Sequence, residues 1–265
     1  MSVDVATFEA FRTYIYQVSG ITLGESKESL VSARIGKRMR ALGIADPLSY
    51  LKHVQKEGEK GEELVHMLDA ISTNVTAFFR EPQHFIFLDK VVREWMQRGQ
   101  RRFRFWCAAA SSGEEPYTIS MTLAECGALK LDTKILATDI STTVLRQCQR
   151  AVYPQQRLKG ISPERQKKWF SPDGDDFQVV EALRAPLTFK RLNLSTPPFP
   201  MHGPLDIIFC RNVMIYFDNR VRQGLLDECN RLLKPGGYLI VGHAESLTGL
   251  LSGFKSVQPA VYQKR

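Results

Sequence analysis

The chain has no apolar run near the roughly 20 residues that a membrane-spanning helix needs, so membrane insertion is not expected. Its first residues, MSVDVATFEAF, lack the basic start and apolar core of an export signal. Cysteine is scarce: Cys107, Cys126, Cys148, Cys210 and Cys229 are odd in number and scattered, and no pair has the spacing of a zinc or redox motif. Several sit inside apolar runs, where cysteine acts as a small hydrophobe, and the expectation is a cytoplasmic protein with reduced thiols. Internal repeats and low-complexity tracts are missing, as is any aromatic-rich basic platform for stacking bases, so nucleic acid is not an expected partner.

What is present is an ordinary globular composition. Of 265 residues, 43% are hydrophobic and 24% charged, enough for a small domain joined to a larger one. The net charge of +8, from 36 Lys+Arg against 28 Asp+Glu, suits an acidic partner.

The first 75 residues read as an all-α domain. Phe8, Phe11, Ile15 and Val18 recur at helical spacing up to Gly20, and Val31, Ile35, Met39 and Leu42 form a second stripe ending at Gly43. Arg34, Lys37 and Arg38 flank that stripe. Two shorter helices follow, over Pro47 to Lys56 and Glu62 to Thr73. A linker at 76–84 leads into 85–265, where short strands alternate with helices: FRFWCA, KILATD, LDIIFC and GYLIVG. That alternation predicts an α/β domain with a mostly parallel sheet. The alternation breaks near Tyr153, where FQVV and LTFKRL are expected to pair antiparallel in an inserted β element over about 154–190. The last residues are expected to form an edge hairpin.

Ligands of open α/β sheets sit beyond the carboxyl ends of the strands. Three such ends carry polar residues. The turn Ala108 to Pro116 is neither G-x-G-x-x-G nor a P-loop. It sets Glu114 and Glu115 at a helix start, where they would repel a pyrophosphate and attract a sulfonium, or else simply complement the helix dipole. Asp139 ends the second strand 26 residues beyond Gly113, where an acid grips a ribose or caps the next helix. Arg211 and Asn212 follow the third strand, either as a site or as a buried polar network.

Five ordered stretches together resemble the CheR family of chemotaxis receptor methyltransferases over nearly the whole chain. They are Thr73 to Glu81 (TNVTAFFRE), Ser111 to Tyr117 (SSGEEPY), Ala137 to Ile140 (ATDI), Phe209 to Phe217 (FCRNVMIYF), and Leu233 to Gly237 with Gly242 to Ser246 (LKPGG, GHAES). The resemblance implies a Rossmann-like methyltransferase sheet preceded by the helical domain, using S-adenosylmethionine and releasing S-adenosylhomocysteine. It implies that Asn74, Thr76 and Arg80 contact the methionine end and that Glu115, with Glu114 as second choice, is a direct cofactor ligand. By the same resemblance Asp139 holds the ribose, Asn193 and Leu194 flank the adenine, Arg211 and Asn212 close the pocket, and Tyr216 lies beside the reacting methyl.

The implied reaction is methyl-ester formation on glutamate carboxylates of a receptor's cytoplasmic, helical methylation region. It needs no general base and no metal, because the carboxylate is already ionised at neutral pH. Arg80 and Tyr216 are the expected catalytic residues, and Arg34, Lys37 and Arg38 the expected docking residues, unless they are a solvated helix face. A monomer is expected. The compact, acidic segment Ser171 to Phe177 departs from members that tether a receptor's C-terminal peptide, so independence of that tether is expected. The alternatives are another methyl acceptor, or a cofactor-binding sensor or scaffold on the same fold.

Overall fold

Helix stops written into the sequence define the first domain. The structure is a computed structural model that describes residues 4–24, 27–58, 61–71, 75–245, 247, 249–250 and 252–265. Helix α1 (Val5–Ser19) starts on the Asp4 cap and ends where Gly20 turns left-handed, and α2 (Glu28–Leu42) ends the same way at Gly43. Helix α3 (Pro47–Glu57) has Asp46 accepting from the Ser49 N–H, with proline at its first position, and α4 (Glu62–Ile71) closes the bundle. Phe11, Ile15, Ile35, Tyr50, Val54, Met67 and Leu68 meet in one core with almost no exposed surface.

The chain then alternates. In order come α5 (Gln83–Gln97), β1 (Arg102–Cys107), α6 (Glu114–Glu125), β2 (Asp132–Asp139), α7 (Thr142–Arg150), β3 (Val152–Pro154) and α8 (Pro163–Trp169). They are followed by β4 (Phe170–Asp173), β5 (Asp176–Val179), α9 (Glu181–Arg184), β6 (Leu187–Arg191), β7 (Leu205–Phe209), α10 (Asn219–Leu232), β8 (Leu233–Ile240), β9 (Phe254–Gln258) and β10 (Val261–Lys264). Helix α5 begins within the stretch expected as linker.

The main sheet has the order β6-β2-β1-β7-β8-β10-β9. Its first five strands are parallel, and the final hairpin adds β10 antiparallel to β8. The order departs in both directions from β1, so the crevice between β1 and β7 is the switch point. Two apolar layers cover the faces, one around Phe103, Phe105, Ile119 and Phe209, the other around Trp106, Ile208, Leu225 and Leu239.

One expected pairing is corrected. LTFKRL is not part of the insertion: β6 lies parallel to β2, with Ile135 opposite Leu187 and Asp139 opposite Arg191. Alternation of side chains says that a segment is a strand but not which edge it joins, and the Ile135 N–H bond to the Pro186 carbonyl fixes that choice. The inserted sheet is β3-β5-β4, with Gly174 and Asp175 as the turn between β4 and β5.

Candidate active site

The carboxyl ends of β1, β2 and β7 open onto a cleft of about 870 Å³, mouth included. Backbone bonds bring those ends together: the Ala108 N–H donates to the Phe209 carbonyl and the Ala110 N–H to the Thr138 carbonyl. The Thr138 hydroxyl, which accepts from the Trp106 indole at 2.9 Å, donates back to the Ala108 carbonyl.

Each turn reaching the cleft is held by a specific constraint. Gly113 sits at φ 101°, and a Cβ there would collide with the Tyr153 hydroxyl. That hydroxyl donates to the Ser112 carbonyl at 2.8 Å, so the turn is pressed against the inserted sheet. Gly242 is as tightly placed, since a Cβ would collide with the Asn212 amide nitrogen. Phe79, Glu81, Ser111 and Asn212 all have positive φ without being glycine. Such strain, on the order of 1–3 kcal/mol each, persists only where the surroundings enforce it. Ser111 and Asn212 line the cleft, and Phe79 and Glu81 flank Arg80, which also lines it.

Arg211 organises the inner wall. Its guanidinium is buried, with Nη1 donating to Glu115 Oε2 at 2.5 Å and Nη2 to the Arg80 carbonyl at 2.6 Å and to Glu81 Oε2 at 3.1 Å. One side chain thus joins the end of β7, the start of α6 and the segment before α5. Burial alone would raise the Glu81 pKa, but the Arg211 charge outweighs it and holds the carboxylate below its ordinary range.

Glu245 organises the rim. Buried, it accepts from the N–H groups of Gly242, Asn212, Val213 and Met214 at 2.6–2.9 Å. Burial pushes its pKa up while the four N–H bonds pull it back.

Asp139 faces the cleft with Oδ2 accepting from the Ser111 N–H at 2.9 Å and Oδ1 from the Ser141 N–H at 3.0 Å. Burial raises its pKa against those two bonds. Helix α7 is capped by Ser141 rather than Asp139, so the carboxylate is not the cap that it resembles in sequence.

The two glutamates of the α6 turn diverge. Glu115 lines the cleft, whereas Glu114 is fully buried behind it, bonded to the Ser112 hydroxyl at 2.6 Å and 3.4 Å from Arg157. Only Glu115 of the pair therefore reaches the cleft, where its carboxylate is held by Arg211.

Thr76, Arg80, Glu115, Asp139, Asn193, Leu194, Arg211, Asn212 and Tyr216 all border the same cleft. Thr73, Asn74 and Ser246 lie outside the described residues. Arg80 is exposed, with Nη1 on the Val75 carbonyl at 2.8 Å. Asn193 donates to the Val18 carbonyl at 2.9 Å and accepts from Ser195, which ties the cleft floor to α1. Ser19 and Ile21, at the end of α1, also line the cleft. Helical periodicity in that segment carries no signal of this. Glu81 and Glu245 lie within the family-like stretches, but nothing in their spacing marks the network they join.

The docking trio is not brought to the cleft. Arg38 makes a two-pronged pair with Glu63, at 3.1 and 2.6 Å, and Glu63 also accepts from the Tyr50 hydroxyl. Arg34 donates to the carbonyls of Ala70 and Ile71 at the end of α4. Lys37 is exposed. Arg34 and Arg38 thus make bonds within the bundle while remaining partly exposed.

Residues 6–72 match the CheR methyltransferase all-alpha domain, and residues 74–262 match the CheR methyltransferase SAM binding domain. The chain belongs to the CheR methyltransferase family. It is 40% identical to Chemotaxis protein methyltransferase 2 of Pseudomonas aeruginosa over 260 residues, covering 96% of this chain and 91% of that one. It is 38% identical to a chemotaxis protein methyltransferase of Borreliella burgdorferi, covering 94% and 91%, and 37% identical to that of Escherichia coli, covering 99% and 92%.

The CheR cofactor is S-adenosylmethionine, and the cleft suits it. Buried Ser111 Oγ and Arg211 Nε have no protein partner, as polar atoms awaiting a ligand would. The lining combines the Asp139 carboxylate and apolar Ile140, Leu192 and Leu194 with the charged side chains Arg80, Glu115 and Arg211. That set matches a nucleoside joined to an amino acid zwitterion.

Proposed function

We propose that this CheR protein transfers a methyl group to glutamate side chains of chemotaxis receptors, and that the cleft residues divide the cofactor between them. Asp139 holds the ribose hydroxyls; Asn193 and Leu194 flank the adenine. Thr76, Arg80 and Glu115, together with Asn74, hold the methionine end. The observation that carries this reading is the convergence of nine sequence-selected residues on one cleft at the β1–β7 switch point.

When bound, S-adenosylmethionine supplies a methyl group on a cationic sulfur and leaves as S-adenosylhomocysteine. The receptor glutamate attacks as a carboxylate: its oxygen forms the new bond to carbon as the carbon–sulfur bond breaks, and the bonding pair stays on sulfur. No proton moves. A free glutamate side chain ionises near pH ~4.3, so the nucleophile is ready at neutral pH. What the protein adds is orientation, worth roughly 7–11 kcal/mol at best, and removal of water. Arg80, exposed at the mouth, positions a carboxylate through a forked pair of N–H donors. Tyr216, held in a short turn whose carbonyl accepts from the Thr22 N–H, orients the methyl.

Arg34, Lys37 and Arg38 on α2 are the candidates for attracting a glutamate-rich receptor helix, with Lys37 the most exposed of them. The inserted sheet acts without a strong peptide tether: the β4–β5 hairpin carries Asp173, Asp175 and Asp176 at and beside its turn, which repel a terminal carboxylate. Micromolar calorimetric binding of such a peptide would contradict that. The cytoplasm and a single copy of the chain are the setting this reading assumes.

The assignment is tested by peptide mass spectrometry of receptor treated with protein and cofactor. Methyl groups on glutamates of a helical cytoplasmic segment are expected. Methylation of lysine, or of RNA instead of receptor, contradicts the reading.

A further inference from the structure

The first turn of α5 and the loop after β8 meet just behind the Arg211 network. His84 is completely buried there, yet neither of its ring nitrogens makes a hydrogen bond. Native structures rarely leave such a group without a partner. Its Nδ1 lies 3.4 Å from Glu81 Oε2. The exposed His243 ring stands edge-on to it, with centroids 4.8 Å apart at 77°. One donor atom from each of Glu81, His84 and His243 falls within 4.8 Å of the others.

We propose that Glu81, His84 and His243 form a site for a borderline-soft divalent cation of the zinc class, with water in the fourth position, and that filling it slows methyl transfer. Two imidazoles and a carboxylate with an open position are a zinc-type donor set. Magnesium and calcium prefer oxygen ligands and are poor occupants. Bonds of about 2.0–2.1 Å require donors somewhat closer together than they stand. Glu81 and His84 already stand 3.4 Å apart, and the His243 side chain is exposed. Arg211, 3.1 Å from Glu81, opposes a cation, but Glu115 on the same guanidinium balances its charge and leaves Glu81 as the surplus anion.

The effect on the reaction follows from what Glu81 gives up. A metal on its carboxylate competes with Arg211, whose other bonds fix Glu115 and the Arg80 carbonyl. This second half rests on the reading of the cleft as the methyl-transfer site; the binding itself does not.

Zn²⁺ titrated calorimetrically into the purified full chain is expected to bind once, and Mg²⁺ not at all. Co²⁺ as an optical probe is expected to give tetrahedral bands without thiolate charge transfer. His84→Ala risks the fold, so the diagnostic variant is His243→Ala, with circular dichroism to show that it stays folded. It should bind Zn²⁺ at least about tenfold more weakly. Zn²⁺ should slow methyl transfer by the unaltered protein, reversibly with chelator, and leave His243→Ala unaffected at the same concentration. Equal binding by both proteins, no binding, or thiolate bands overturn the site. Binding as expected with unchanged transfer overturns the inhibition alone. A chain that binds Zn²⁺ as described but methylates no receptor when free of metal keeps the site and refutes the enzymatic reading.

Discussion

Arg211 shows how a single buried charge can hold a site together. It lies between Glu81 and Glu115, so its removal leaves two carboxylates without their cation. Breaking such a buried group by deleting one partner costs about 3–5 kcal/mol. Arg211→Met is therefore expected to lower unfolding stability by about 3 kcal/mol and to abolish cofactor binding; a denaturant melt checks the first and calorimetry the second. Glu245 acts on the neighbouring loop by a different route, gathering four N–H groups rather than a charge. Glu245→Gln puts an NH₂ where an acceptor is needed, and a loss of roughly 1–3 kcal/mol is expected for the unsatisfied donors. Asp139 and Arg211 were legible because a polar residue at a strand end stands out from its apolar run. The partners Glu81 and Glu245 were not, since nothing local says that residues 130 and 34 positions from Arg211 converge on its loop.

At the scale of elements, periodicity found the helices and strands but left pairing open. Gly20 and Gly43 mark helix ends because only their backbone turns left-handed at no cost. LTFKRL reads as a strand in either sheet, and its parallel register in the fold commits it to β2. The α6 turn depends on close approach. Gly113→Ala is expected to displace the turn and weaken cofactor affinity, and Tyr153→Phe in the same chain to recover part of it by removing the hydroxyl in the way. Recovery in a binding titration tests that contact. The bundle has its own titration. Burial would raise the Glu63 pKa, but bonds from Arg38 and Tyr50 bring it below the ordinary value. An acid with a lowered folded pKa contributes stability that is present above the unfolded pKa and lost as pH falls through the folded one. Acid unfolding followed below about pH 4.5 should therefore be shallower in Glu63→Gln. Arg38→Glu would place a second anion beside Glu63 and test the bundle rather than receptor docking; Lys37→Glu is the cleaner probe, expected to slow receptor methylation with cofactor affinity unchanged.

At the scale of the whole molecule, the helical domain is part of the active-site wall. The end of α1 supplies Ser19 and Ile21 to the cleft, Val18 holds Asn193, and Tyr16 bonds to Asp218 at 2.7 Å, the residue that caps α10. The Thr22 N–H donates to the Tyr216 carbonyl, and Ile21 bridges to Phe217. The segment that carries the expected catalytic tyrosine is thus steadied from the other domain, so the helices and the sheet share the border of the cleft. Tyr16→Phe is expected to weaken cofactor binding a few-fold without unfolding the protein. The sequence separated the two domains through their change of period, yet contacts between them follow from tertiary packing that no period encodes.

The central claim is that Asp139 and Arg80 serve esterification of receptor carboxylates. The direct measurement uses cofactor carrying a radiolabelled methyl group, receptor-containing membranes and mild alkali, which releases methyl esters as volatile methanol. Label recovered as methanol with the unaltered chain, and lost with Asp139→Ala or Arg80→Ala, is the predicted result. Label that resists alkali, or methanol release that survives both substitutions, would contradict the account.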